Sequence, residues 1–191
     1  MKEKYEYKTI EQLEKMFIED MQEMYRSDSF MPCMAALGYH KDVDNPQNVI
    51  AILPLPKQIF ESRDFKEKFF EEIIPTKIAP KMNEKFEIKA VMLCTEASVR
   101  VTKADEFDPT TDNFKDLPIK YNDVLFFLFD NGVKTKTNVF EIIKPTVVNS
   151  KGEMEYLDTV FEIVKESTGD SQVEEGAITG LMSGLFTKFK P

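Results

Sequence analysis

The stretch from Phe86 to Val101 constrains this chain most. Phe86, Ile88, Ala90, Met92 and Cys94 fall on one parity, and Ala97, Val99 and Val101 on the other. Alternation of period two is the mark of a β-strand. Residues 90 to 94 are apolar at both parities, so the strand needs cover on both faces and belongs in the middle of its sheet. The change of phase near Thr95 and Glu96 predicts a bulge or bend. A chain of 191 residues, 42% apolar and with 16 Phe, has the material for both covering layers.

Upstream, Thr9 and Gln12 have capping-box spacing, and Ile10, Leu13, Phe17, Met21 and Met24 recur at helical intervals, so a first helix is expected over about 10–25. The segment 29–39 is interrupted by Pro32 and Gly38 and reads as an edge strand. Val49 to Leu53 form a compact apolar run closed by Pro54 and Pro56, which reads as a buried strand. Ser62 is a plausible N-cap for a central helix carrying Phe65, Phe69, Phe70, Ile73 and Ile74 on one face, broken or kinked by Pro75 and Pro80.

Downstream, Val124–Phe129 and Val133–Ile143 flank Asn131-Gly132, the residue pair of a type I′ hairpin. A second turn near Asn149–Gly152 leads to a strand over about 156–164, completing a meander. The stretch 166–175 is acidic and reads as a linker. Beyond it Ile178, Leu181, Met182, Leu185, Phe186 and Phe189 have helical spacing, while Gly176, Gly180 and Gly184 lie on another face.

The expected fold is therefore α+β: a mainly antiparallel sheet of five or six strands with a C-terminal β-meander, packed by an N-terminal helix and a central helix, plus a C-terminal helical tail. Residues 1–165 form one domain, 166–175 the acidic linker and 176–191 the apolar tail. Glycines weaken a lone helix, so the tail needs packing. It closes its own core, docks on a partner or second copy, or rests on a lipid surface.

The net charge of −9 and pI near 4.8 argue against direct binding to nucleic acid, whose recognition relies on neutralising phosphates. An acidic surface could instead imitate nucleic acid toward a basic partner. No run of 18 apolar residues occurs, which excludes a transmembrane helix, and the first 30 residues read as an amphipathic helix and not a signal peptide. Cys33 and Cys94 lie in apolar runs and read as reduced core residues of a cytoplasmic protein.

Candidate chemistry is sparse. His40, the only histidine, stands in a His-x-Asp-x-Asp cluster with Asp42 and Asp44, but one imidazole makes a poor transition-metal site. Asp105, Glu106, Asp108, Asp112 and Asp116 crowd one loop without the spacing of a calcium site. No glycine-rich phosphate loop occurs, and a nucleophilic triad lacks its base. Neither a metal nor a cofactor is expected. Glu96 is the exception, because a carboxylate inside an apolar strand needs a partner or a groove. Glu87 and Lys89 repeat the Glu-x-Lys spacing of metal-dependent nucleases, where they would hold metal and water. Glu96, Glu87 and Lys89 form one candidate groove.

The order of elements over residues 48–145, with Thr95-Glu96-Ala97 on the long strand, resembles small α+β proteins of bacteriophage genomes, in which that strand often reads Glu-Ala-Trp; here Ser98 replaces the Trp. The resemblance implies a phage origin, with host cytoplasm or virion as location, and no activity. The expected function is a non-enzymatic interaction protein, either a structural or accessory component or an acidic inhibitor of a host factor, acting by protein binding or self-association. The alternative is a small-ligand-binding or metal-dependent enzyme using the carboxylate groove.

Overall fold

The computed structural model describes residues 6–42, 44, 46–100, 119–170 and 184–190. The clustered acidic loop of 103–118 lies outside them, as do Ile178, Leu181 and Met182 of the expected tail. Helix α1 (Ile10–Arg26) is followed by strands β1 (Cys33–His40) and β2 (Asn48–Pro54). A helical block comes next: α2 (Gln58–Glu61), α3 (Arg63–Lys68), a π-helix (Phe69–Ile78) and α4 (Ala79–Lys85). Then come β3 (Phe86–Arg100), β4 (Ile119–Asp130), β5 (Lys134–Ile143), β6 (Thr146–Val148), β7 (Met154–Tyr156), β8 (Val160–Asp170) and a 3-10 turn (Phe186–Phe189).

Six strands form one antiparallel sheet in the order β2-β1-β3-β4-β5-β8, and β6 with β7 makes a separate two-stranded ribbon. The fold is α+β, as the sequence indicates. Strand β3 is central and covered on both sides. Its Ala90, Met92 and Cys94 pack under Leu13, Phe17 and Met21 of α1. Val91 and Leu93 pack under Phe69, Phe70 and Ile74 of the helical block and Leu185, Phe186 and Phe189 of the C-terminal turn.

Helix α1 begins in the expected capping box: the Thr9 hydroxyl accepts from the Gln12 N–H, and the Gln12 side chain accepts from the Thr9 N–H at 2.8 Å. It ends in a Schellman arrangement, with Ser29 N–H donating to Met24 C=O and Asp28 N–H to Tyr25 C=O. Asp28 takes the left-handed position at φ 52°, where glycine is usual. A half-buried ion pair, Lys136 Nζ to the buried Glu14 Oε2 at 2.9 Å, ties the helix to β5.

Ser62 caps α3 through the Phe65 N–H. Pro75 sits in the π-helix, whose widened turn tolerates a residue without an N–H, and Pro80 sits in the first turn of α4.

Several expectations are corrected. Strand β1, read as an edge, is interior and almost wholly buried, whereas β2, read as buried, is the edge. Gly38 is the reason: a Cβ there would stand 2.0 Å from the Glu87 carbonyl oxygen, so the glycine allows β1 to meet β3 closely. The register shift of β3 falls between Ala97 and Val99, not at Thr95–Glu96, because the extra residue belongs to β4. In the β4–β5 turn only Gly132 has a positive φ, 81°, so it is not type I′; the glycine takes the first central position, as a type II′ turn requires. The meander stands as β4-β5-β8, but the turn at Asn149–Gly152 closes the β6–β7 ribbon, which is inserted between β5 and β8. Residues 166–170 of the expected linker are strand β8.

Candidate functional site

The described part of the tail closes the protein's own core. Leu185, Phe186 and Phe189 are buried in it, in a 3-10 turn instead of the expected helix. Asp130, fully buried at the end of β4, accepts from the Gly132 N–H at 2.8 Å and from the Phe186 N–H at 3.0 Å. Lys188 pairs with Glu71, and the Asn83 amide donates to the Phe189 carbonyl. These side chains are therefore unavailable as a docking face.

The three residues grouped as one groove do not converge. Glu87 and Lys89 pair with each other at 2.6 Å on exposed surface. Glu96 is nine steps along the strand from Glu87, about 30 Å at strand rise. Among the described residues no group of three His, Cys, Asp or Glu side chains could hold a metal ion. His40 ends strand β1, opposite Phe86 of β3; its Nδ1 accepts from the Asp42 N–H in the turn that follows, and Asp42 Oδ1 accepts from the Asp44 N–H.

Glu96, by contrast, does reach a groove. On β3 it follows Ala90, Met92 and Cys94 on the α1 face and stands where the helix ends, exposed. A cleft of about 200 Å³ joins it to Tyr25, Arg26, Asp28, Phe30, Lys144 and Thr159. Burial is the first cause that pushes the Tyr25 phenol up, with the Lys144 hydrogen bond opposing and the Glu96 carboxylate adding to it. The hydrogen bond to Tyr25 is the first cause that raises Lys144. At neutral pH Tyr25 is a neutral hydroxyl between an ammonium and a carboxylate. The cleft is small and polar, below the roughly 300–1,000 Å³ and apolar lining usual for organic ligands.

A second cleft, of about 720 Å³, adjoins the first through Arg26 and Thr159 and runs between Gln22–Ser27 and Asp158–Phe161. Arg26 spans it: Nε donates to the Thr159 carbonyl at 3.1 Å, Nη1 meets Glu23 at 3.1 Å, and the guanidinium lies 5.1 Å from the centre of the Phe161 ring.

From this same end of the sheet the β6–β7 ribbon projects, its base held by Leu157 N–H to Pro145 C=O. The register sets Val148 opposite Met154 and Thr146 opposite Tyr156, so these four share one face. Val148, Met154 and Tyr156 are 68%, 66% and 76% exposed. Leu157, Val160 and Ile163 beside the ribbon are about half exposed. On the opposite face Asn149 holds Glu153 and Glu155 by its amide. Glu153 and Glu155 lie on that opposite face, Asp158 and Glu162 follow in the chain, and Lys151 is the only cation of residues 146–156.

Sequence reasoning missed this surface because 149–152 read as a simple turn into the next strand. The signal was present in Val147-Val148 and Met154-Glu155-Tyr156, two short β-prone runs on either side of Asn149-Ser150-Lys151-Gly152. No helix among the described residues is long and apolar enough to cross a membrane. No protein-family model, curated protein or solved structure matches this chain.

Proposed function

We propose that this chain is a non-enzymatic interaction protein whose docking surface is the β6–β7 ribbon and the adjoining start of β8, and that its partner is a protein surface carrying apolar residues within a Lys/Arg rim. The observation that carries the reading is the apolar ribbon face left in water. A two-stranded ribbon is marginal on its own, and three large apolar side chains on it gain little until another surface covers them.

Charge selects the occupant. Glu153, Glu155, Asp158 and Glu162 against Lys151 leave the surface negative, and the whole chain carries −9. A second copy would bring like charges together, whereas a cationic rim would be attracted and steered. An acidic inhibitor of a basic protein fits this surface, and so does an accessory component of a phage particle. The origin remains an expectation from the Glu96-Ala97 resemblance.

The test compares the wild type with a Val148→Lys, Met154→Lys variant, both confirmed folded by circular dichroism. Proteins retained by the wild type are purified and titrated against both forms at low and high salt. The expected outcome is a cationic partner bound one to one, more weakly in salt, and lost with the variant. Partners indifferent to the variant, or a wild type that dimerises through the same residues, would overturn the reading.

A further inference from the structure

Cys33 opens β1 and Cys94 lies on β3, directly opposite it in the antiparallel register. Both side chains point to the α1 face, 2% and 0% exposed, and both thiols are free. Directly opposed residues have Cα atoms about 4.5 or 5.5 Å apart, inside the range of roughly 4.4–6.8 Å that a disulfide spans. Their Cβ atoms, about 4.5–5.5 Å apart in such pairs, are at or beyond the approximately 3.5–4.5 Å of a relaxed bridge. A bond here can form with the strands in place but pinches them, which makes it reducible.

The lid over the pair is α1. Met21 Sδ lies 3.4 Å from Cys33 Sγ, and both cysteines share one buried cluster with Leu13, Phe17 and Met21 of the helix. Burial pushes the Cys33 thiol up to about 11 and holds the Cys94 thiol well above the usual thiol range, with Cys33 itself the next cause for Cys94. Thiolate, the reactive form, is therefore scarce while the helix is seated. Because one helix covers both sulfurs, lifting it exposes both together.

We propose that Cys33 and Cys94 form a latent redox site: a dithiol, silent under seated α1, that a small-molecule disulfide converts to a cross-strand bridge when the helix opens. The Cys33 thiolate attacks oxidised glutathione, forming a mixed disulfide and releasing one glutathione thiolate. The Cys94 thiolate then attacks the Cys33 sulfur, closing the bridge and releasing the second. The two protons of the cysteines pass to the two glutathione thiolates, so the protein is oxidised by two electrons and one glutathione disulfide is reduced to two thiols. The bridge ties β1 to β3 independently of the helix, and excess thiol reverses it.

The experiment treats the full chain with oxidised glutathione at a series of urea concentrations below the unfolding transition and follows intact mass and peptide maps. The expected result is loss of two hydrogens, with residues 33 and 94 joined, at a rate that rises with urea while the far-ultraviolet signal stays native. Glu14→Gln, which weakens the Lys136 tie of α1 without touching the core, is expected to speed closure about tenfold. Cys94→Ser is expected to stop at a glutathione adduct on Cys33. Accumulation of glutathione adducts in the wild type without the bridge, or a bridge that forms only once the sheet has unfolded, would overturn the proposal.

Discussion

Asp130 offers the sharpest test of how the chain's C-terminal turn is held. Its carboxylate is fully buried and ties the β4–β5 turn to a residue 56 positions on from Asp130 itself: one oxygen accepts from Gly132, the other from Phe186. A hydrogen bond to a charged group contributes about 1.5–3 kcal/mol, and a buried donor left without its acceptor loses its full desolvation energy. Asp130→Ala removes two such acceptors, so a loss of about 3–5 kcal/mol is expected, a large part of the 5–15 kcal/mol typical of a folded domain. Asp130→Asn keeps one acceptor oxygen but turns an NH2 toward the other donor, and should lose about half as much. Equilibrium urea unfolding measures both, followed by circular dichroism and tyrosine fluorescence because the chain has no Trp. A loss below about 1 kcal/mol for Asp130→Ala would refute the reasoning and reopen the C-terminal turn as a detachable element.

Three further outcomes follow from named contacts. Asp28→Gly should raise stability by about 0.5–1 kcal/mol in the same urea assay, since Asp28 holds a left-handed backbone at the end of α1 that glycine adopts freely. Gly132→Ala should destabilise, because a Cβ there would lie 2.6 Å from the Phe186 ring and φ is 81°; unchanged stability would mean the turn relaxes freely. Cys33 supplies a pH dependence. Burial pushes its folded value up to about 11 from the ordinary 9.0, so the folded chain keeps a proton that the unfolded chain gives up. Stability from this group is present below about pH 9 and is lost as pH rises toward 11, by about 2 kcal/mol, and Cys33→Ala should flatten that decline.

Local patterns revealed their own elements well. The Thr9/Gln12 box, the Ser62 cap and the doubly apolar 90–94 segment each stand in the structure where their physics placed them, because capping and burial on both faces are decided within a few residues. The β1/β2 exchange shows the limit. Pro32 and Gly38 are common edge markers, yet Pro32 only precedes β1, and Gly38 serves a close approach to Glu87 that is settled 49 residues away. Gly184, read as part of a glycine face of a helix, takes φ 67° and leads into the 3-10 turn of residues 186–189. For the candidate site, Glu96 stood out as a charge within an apolar strand, while Tyr25, Arg26, Lys144 and Thr159 could not be joined to it before the end of α1 was seen to stop there. The apolar ribbon went unseen because strands of three residues carry too short a pattern to separate from a loop.

The central claim is that the apolar face of residues 146–156 is uncovered in the isolated chain and becomes covered by a cationic partner. Amide hydrogen exchange tests it directly. In the free protein at low concentration, the amides of β6 and β7 are expected to exchange far faster than those of β3 and β4, which open only with the whole fold, and to slow when the partner is bound. Ribbon amides as protected as those of β3 in the isolated chain would contradict the account, and protection that grows with protein concentration alone would assign the face to a second copy.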